Sequence, residues 1–174
     1  MKTSTTLFIA LLLLASVTFS FAQGIFVELT AGPTNGSVPV TGEFLLTSAQ
    51  YNFVRPTGGN VQATPLMLTK LVDGASPSLL AGSFTGSLYN RIRINYYRTG
   101  AGGTRELVYR VSVGMAFVNE YTGAGAQACA SGCPGINESV SITYRQITIA
   151  DYTQSPARVT GYDFARSQLL TTEL

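Results

Sequence analysis

The sequence predicts an all-β fold, an antiparallel two-sheet barrel or sandwich that carries one short α-helix. Apolar and polar residues alternate along several segments, as they do in half-buried strands. Glycine-rich connections separate these segments, and only one stretch, near Ser76, changes to helical spacing. Charged residues make up only 11% of the chain, which is typical of a β-rich secreted protein rather than a helical cytosolic one.

Residues 1–22 are predicted to be a cleaved signal peptide. Lys2 supplies a positive start, residues 7–17 form an apolar run, and Ser20-Phe21-Ala22 fits a small-x-small cleavage site. The run is too short to cross a bilayer, which takes about 20 apolar residues in a helix, so a retained membrane anchor is the less favoured alternative. Residues 23–174 have a suitable length for one β-barrel domain, and we expect no membrane association after cleavage.

The predicted strands follow one another through the mature chain. The first spans 25–29, the second spans 43–53 with a less regular alternation, and another begins near Leu66. Residues 91–97 and 105–119 alternate clearly, and the second of these runs is the longest. In strand 138–145 the apolar face includes Tyr144, yet the next apolar residue is Ile147. This odd step of three indicates a bulge or a strand that leaves one sheet for another.

The predicted helix lies between two strands within residues 64–97. Asp73 and Ser76 can accept backbone N–H bonds where the helix begins, Pro77 suits a first helical position, and Gly86 ends the helix. Three residues are expected to form its apolar stripe: Leu79, Leu80 and Phe84. Lys70 and Asp73 are expected to form an exposed ion pair that contributes at most about 1 kcal/mol.

The composition argues against several classes of function. The chain has no histidine, which is the commonest general base and a frequent metal ligand, and its nine carboxylates are scattered. The glycine-rich pieces lack the lysine and following helix of a phosphate-binding loop. Because the arginines form no basic block, nucleic-acid binding is not expected either. We therefore expect no enzyme activity, no catalytic residue, no metal and no cofactor.

The two cysteines, Cys129 and Cys133, lie in a loop rich in glycine, alanine and serine. In an exported chain the oxidising compartment favours a local disulfide between them. Such a bond would rigidify the loop rather than the core. Two free thiols are the alternative.

Four segments resemble the haemolysin-coregulated protein (Hcp) family, the tube proteins of type VI secretion. One of them is the strand 91–97, which is similar to the family's strand after its helix. Residues 70–80, KLVDGASPSLL, resemble the family signature K-x-x-D-x-A-S-P-x-L, residues 138–142 resemble its E-x-V-x-L/I strand, and Gly161-Tyr162-Asp163 resembles its terminal G-W/Y-D/N turn. The resemblance covers roughly residues 24 to 168. It makes the signature residues candidates for shaping the subunit and for oligomer contacts: Lys70, Asp73, Ala75, Ser76, Pro77, Leu79 and Leu80.

The resemblance implies a structural rather than an enzymatic function. In this family small barrels pack side by side into six-membered rings, and rings stack into a hollow tube through which effector proteins travel or within which they are held. The expected partners are therefore copies of the chain itself and effector proteins in the lumen. One departure is the signal peptide, because family members of the secretion machine assemble in the cytoplasm. This chain is expected to be exported, to the periplasm or the cell exterior.

A monomeric exported binding module, for a glycan or another surface partner, is the alternative function. Such modules commonly present exposed aromatic side chains, above all tryptophan. The chain has no tryptophan, but its nine tyrosines keep this alternative open.

Overall fold

The computed structural model describes residues 24–31, 43–125 and 135–174. The predicted signal peptide, residues 1–22, and both cysteines, Cys129 and Cys133, lie outside these ranges. The signal peptide and the disulfide therefore remain predictions.

The described residues form twelve strands and one α-helix, and all strand pairs are antiparallel. The strands are β1 (Gly24–Ala31), β2 (Glu43–Leu46), β3 (Ser48–Gln50), β4 (Phe53–Val54), β5 (Gln62–Ala63), β6 (Leu66–Leu71), β7 (Leu88–Thr99), β8 (Arg105–Ala124), β9 (Asn137–Thr143), β10 (Gln146–Asp151), β11 (Arg158–Asp163) and β12 (Gln168–Leu170). The helix α1 spans Ser76–Thr85, and a 3₁₀ turn spans Ala101–Gly103.

The long strand β8 belongs to both sheets. One of its edges pairs with β7, while the other edge pairs first with β10, over residues 109–114, and then with β9, over residues 117–124. The change of partner occurs around Met115, which has a positive φ of 53°. The odd step of three from Tyr144 to Ile147 in the sequence pattern coincides with the turn at Tyr144 and Arg145 between β9 and β10. It therefore marks the predicted change of sheet.

Residues 43–50 close the barrel. β2 pairs with β1, and β3 pairs with β6, so one bent segment joins the two sheets on the side opposite β8. At the bend, the Thr47 N–H donates to the Thr69 carbonyl at 2.8 Å. The larger sheet has the order β12-β11-β10-β8-β7-β1-β2, the second sheet continues from β8 through β9 and β6 to β3, and β4 and β5 pair separately. This arrangement confirms the predicted all-β, two-sheet fold with a single short helix.

The core consists of the inward faces of the strands and one side chain of α1. Alternation places most apolar residues inside as the sequence pattern indicates. In β8, however, the inward face changes at Met115, so that Val111 and Val113 are buried before it and Ala116 and Val118 after it. The fully buried members are Val27, Leu66, Leu68, Ile92, Ile94, Val111, Val113, Val140 and Ile142, together with Leu79 from the helix.

Helix α1 packs on the barrel through a narrow contact. Gly82 faces Tyr89, and a Cβ at Gly82 would lie only 2.4 Å from the tyrosine hydroxyl oxygen. Gly86 adopts the left-handed conformation at the C-terminal end, as predicted. The prediction of a three-residue buried stripe is wrong, because Phe84 is 80% exposed and Leu80 is only half-buried. Among the described residues, no helix has the length and apolar character needed to span a membrane.

Candidate functional site

Lys70 is a charged residue in the apolar interior. The inward positions of β6 are Leu66, Leu68 and Lys70, and all three are fully buried. The strand alternation therefore places an ammonium group where an apolar side chain would be usual. The expectation of an exposed ion pair with Asp73 is wrong for Lys70, whose side chain is 0% exposed, although the two residues do pair at 2.7 Å.

The Lys70 ammonium is surrounded by acceptors. Its Nζ donates to the carboxylates of Asp73, at 2.7 Å, and Glu138, at 2.5 Å. It also contacts the Ser76 hydroxyl at 3.0 Å and the Leu71 carbonyl at 2.8 Å. An ammonium carries three protons, so four acceptors share three donors and none of the protons is left unpaired. Charge-assisted bonds of this kind are roughly twice as strong as neutral ones.

The β6–β9 register brings Lys70 and Glu138 together. The two residues are direct partners across antiparallel strands, and both side chains are fully buried. The second oxygen of Glu138 accepts a short hydrogen bond from the Tyr121 hydroxyl, and its first oxygen accepts one from Ser76 at 2.6 Å. Burial, followed by the bond to Glu138, raises the pKa of Tyr121 to about 12, so this hydroxyl remains a donor at neutral pH.

The same cluster fixes the start of α1. Asp73 accepts the Ala75 N–H at 2.8 Å, and the Ser76 hydroxyl accepts the Asp73 N–H at 2.9 Å. Both residues thus accept backbone bonds, as predicted, but Ser76 is the first helical residue and Ala75 occupies the N-cap without a side-chain cap. The buried cluster takes the place of an ordinary cap.

The seven signature residues serve different parts of the structure. Lys70, Asp73 and Ser76 belong to the charged cluster, whereas Ala75 and Leu79 are buried in the hydrophobic core. The remaining two, Pro77 and Leu80, are exposed and half-buried respectively. The structure therefore brings three of the seven together in the charged cluster and places two others in the hydrophobic core.

Chemically, the Lys70 cluster is suited to holding elements in place. Its ammonium is enclosed by two carboxylates and is not available as a nucleophile or base. Removing one partner of such a buried pair usually costs about 3–5 kcal/mol, because the other charge is left uncompensated. The cluster joins β6, β8, β9 and the start of α1. Within the described ranges, no three acidic, histidine or cysteine side chains are grouped so as to hold a metal ion.

Sequence reasoning did not connect Lys70 with Glu138 or Tyr121. A signal was nevertheless present, because each strand carries a charge in phase with its apolar residues. Glu138 lies on the same face of β9 as the buried Val140 and Ile142, just as Lys70 lies on the same face of β6 as the buried leucines. Opposite charges on the apolar faces of two strands predict that the strands are neighbours.

The terminal Gly161-Tyr162-Asp163 segment is the end of β11 and the turn that follows it. Asp163 accepts the N–H groups of Ala165 and Arg166, each at 3.0 Å, and the Gln146 side-chain amide at 2.8 Å. A Cβ at Gly161 would lie 2.2 Å from the Ile147 carbonyl oxygen, so only glycine fits the close approach of β10 and β11.

A protein-family profile described as "Type VI secretion system effector, Hcp" matches residues 46–150. The matched region contains both halves of the Lys70 cluster, the helix and the strands β3 to β9. The chain belongs to the Hcp family. This confirms the family predicted from the signature segments. Hcp proteins are structural secretion tube proteins rather than enzymes, and this membership supports the prediction of a non-enzymatic function.

Similar proteins agree with this assignment. The chain is 33% identical over 115 residues to the "Major exported protein" of Pseudomonas aeruginosa, a match that spans 65% of this chain and 64% of that protein. The chain thus matches slightly less than two thirds of the length of this relative. Two solved structures have the same fold. Hcp1 from Salmonella typhimurium has a TM-score of 0.69 at 17% identity, covering 86% of this chain and 99% of that chain. The "Secreted protein Hcp3 from Pseudomonas aeruginosa" has a TM-score of 0.63 at 22% identity, covering 82% and 99%.

Proposed function

We propose that the mature chain is an exported Hcp-type subunit that assembles with copies of itself into six-membered rings. The rings stack into a hollow tube, which holds or transports effector proteins. Family membership supports the assembly, and the name of the Pseudomonas relative, "Major exported protein", supports export, to the periplasm or the cell exterior. The predicted signal peptide over residues 1–22 supplies the export route.

The observation that carries the proposal is an apolar patch on the outside of the signature segment. Leu71, Val72 and Ile136 are 44%, 48% and 50% exposed, and the Val72 N–H donates to the Ile136 carbonyl at 2.9 Å, so these residues are neighbours. Lys70 and Asp73 flank Leu71 and Val72 in the chain, and the ion pair of Lys70 with Glu138 ties this segment to β9. The cluster thus holds this "end patch" (Leu71, Val72 and Ile136) in a fixed position.

A fixed apolar patch suits contact with another protein surface. Burying apolar area contributes roughly 25 cal/mol per Å², and a pre-ordered patch loses little conformational entropy on docking. When the end patch binds a different surface of an identical copy, the contact is heterologous. Such contacts generate rings if the rotation closes and filaments if it does not. The resemblance to the ring-forming family favours closure.

The proposal is tested with the purified mature chain, residues 23–174. Light scattering after size exclusion and negative-stain microscopy should show rings of defined size, with stacked tubes at high concentration. Val72→Asp should weaken assembly while its far-UV circular dichroism spectrum stays that of the wild type, because it places a charge in the docking surface and not in the core. Gln154→Asp, at an exposed position in the β10–β11 loop, is the matched control. A monodisperse monomer across a wide concentration range would contradict the proposal.

The alternative of a glycan-binding module gains no specific support. None of the nine tyrosines is exposed; each is buried or half-buried. Several pack against other rings, such as Tyr96 on Tyr109 and Tyr144 on Phe164. Flat, accessible aromatic faces of the kind that stack on sugars are therefore not offered by the tyrosines.

A further inference from the structure

We infer that Arg91 of one copy binds Glu120 of the next copy in the assembly. This inference rests on the proposed function, since it specifies a residue pair that joins neighbouring subunits. It follows from an accounting of the charged groups on the described residues, which include all nine side-chain carboxylates of the chain.

Arg91 lies on the outward face of the larger sheet and lacks an acceptor. It is half-buried, and its Nε is buried without a hydrogen-bond partner. Two further orphan donors lie beside it on the same face: Arg93 Nε and the Ser112 hydroxyl, which face each other across β7 and β8. We call these three residues the arginine patch. A patch with more buried donors than acceptors is expected to bind an anionic oxygen.

The carboxylates near the arginine patch leave Arg91 uncompensated. Glu28 pairs with Arg93 at 3.5 Å, and Glu173 pairs with Arg110 at 2.9 Å. Three arginines on this face are therefore matched by two side-chain carboxylates. The C-terminal residue Leu174 also lies on this face, beside Gly114, but within the described residues its carboxylate forms no ion pair with Arg91. Of the three arginines, Arg91 is the one without a partner, and its cross-strand neighbour is Gly114, which has no side chain. A carboxylate that docks here gains a partly desolvated arginine as its partner.

Glu120 is the complementary group. Each of the other eight carboxylates has a hydrogen bond or an ion pair within the described residues, whereas Glu120 has neither. It is exposed and lies where the β8–β9 register shifts, between Val118 and Glu120. Such irregularities change the direction in which a side chain points from the strand.

Within one copy these two groups do not pair. Gly114, the strand neighbour of Arg91, is six residues from Glu120 along β8, roughly 20 Å in an extended strand. Between the two positions β8 also passes from one sheet to the other. An unpaired cation and an unpaired carboxylate at separate places on one subunit form a charge-complementary, heterologous contact between two copies.

Charge reversal tests the pairing directly. In the mature chain, Arg91→Glu and Glu120→Arg should each raise the concentration for half-assembly about tenfold or more, because each places like charges opposite one another. The combined variant Arg91→Glu/Glu120→Arg restores the opposite charges and should recover most of this loss. Arg145→Glu, which reverses an exposed arginine in the β9–β10 turn, should assemble like the wild type.

The readouts separate this inference from the proposed function. Assembly is measured by sedimentation, and folding by far-UV circular dichroism. Because Glu120 is exposed, its variant is expected to fold even if Arg91→Glu is destabilised. Wild-type assembly that neither single substitution weakens would overturn the inference and leave the proposed function intact. So would a folded combined variant that assembles no better than Glu120→Arg alone. A wild-type chain that stays monomeric would overturn both.

Discussion

Substituting Lys70 with methionine removes the buried ammonium while keeping most of the side-chain volume. Glu138 then retains only Ser76 and Tyr121 as donors and carries an uncompensated charge in the core. Loss of one partner from a buried pair costs about 3–5 kcal/mol. Since the total stability of a domain is about 5–15 kcal/mol, Lys70→Met should lose about a fifth of it or more.

The effect is measured by urea and thermal unfolding followed by far-UV circular dichroism, because the chain has no tryptophan. In a domain of this size 1 kcal/mol shifts the unfolding temperature by about 2–4 °C, so a fall of about 6–20 °C is expected. The comparison requires equal protein concentrations, because self-assembly itself raises the apparent stability.

A second substitution separates charge from packing. Lys70→Met/Glu138→Gln removes the uncompensated carboxylate, so it should be clearly more stable than Lys70→Met alone. Arg145→Met, which removes an exposed cation, should change stability by less than about 0.5 kcal/mol. If Lys70→Met unfolds within about 1 kcal/mol of the wild type, or if the second substitution adds to the loss, the buried cluster does not have the role described here.

Two other predictions concern α1 and pH. Leu79→Asp should prevent stable folding because it puts a charge in the core, while Leu80→Asp, at a half-buried position, should be milder and Pro77→Ala milder still. Thermal unfolding ranks the three variants, and equal losses for the two leucines would contradict the packing. The hydrogen bond from Gln146, followed by those from two backbone N–H groups, lowers the pKa of Asp163 below its ordinary 3.8. The unfolded chain therefore binds more protons at low pH, so this contribution is complete above about pH 4 and is lost as the pH falls through the lower, folded-state pKa. Urea midpoints measured from pH 7 to pH 2 should show this loss. In Asp163→Asn the midpoint should fall less steeply with decreasing pH than in the wild type, and an unchanged slope would contradict the prediction.

Much of the fold is predictable from local sequence patterns. Alternation identifies the main strands and most of their inward faces because side chains in a strand point to opposite sides with a period of two. It does not show that the inward face of β8 changes at Met115. The helix bounds follow from Pro77, which suits a first turn, and Gly86, which readily adopts a left-handed conformation. The signature segments likewise point to the Hcp family, which the family profile confirms.

Exposure on α1 depends on the packing instead. The apolar residues Leu79 and Phe84 look equivalent in a helical pattern, yet one is fully buried and the other is 80% exposed. The difference arises because α1 contacts the barrel through Leu79 and Gly82, which fits against Tyr89. No local pattern specifies which part of a short helix touches the barrel.

Local sequence patterns specify most of the strands, the helix bounds and the family, because each depends on residues close together in the chain. The burial of Lys70 and its pairing with Glu138, 68 residues away, depend on the tertiary fold instead. Strand register places these two charges opposite each other, and register is settled by barrel closure through residues 43–50 and by the path of β8 between the sheets. Long-range pairing of this kind depends on how the whole chain closes on itself, which the local period does not encode.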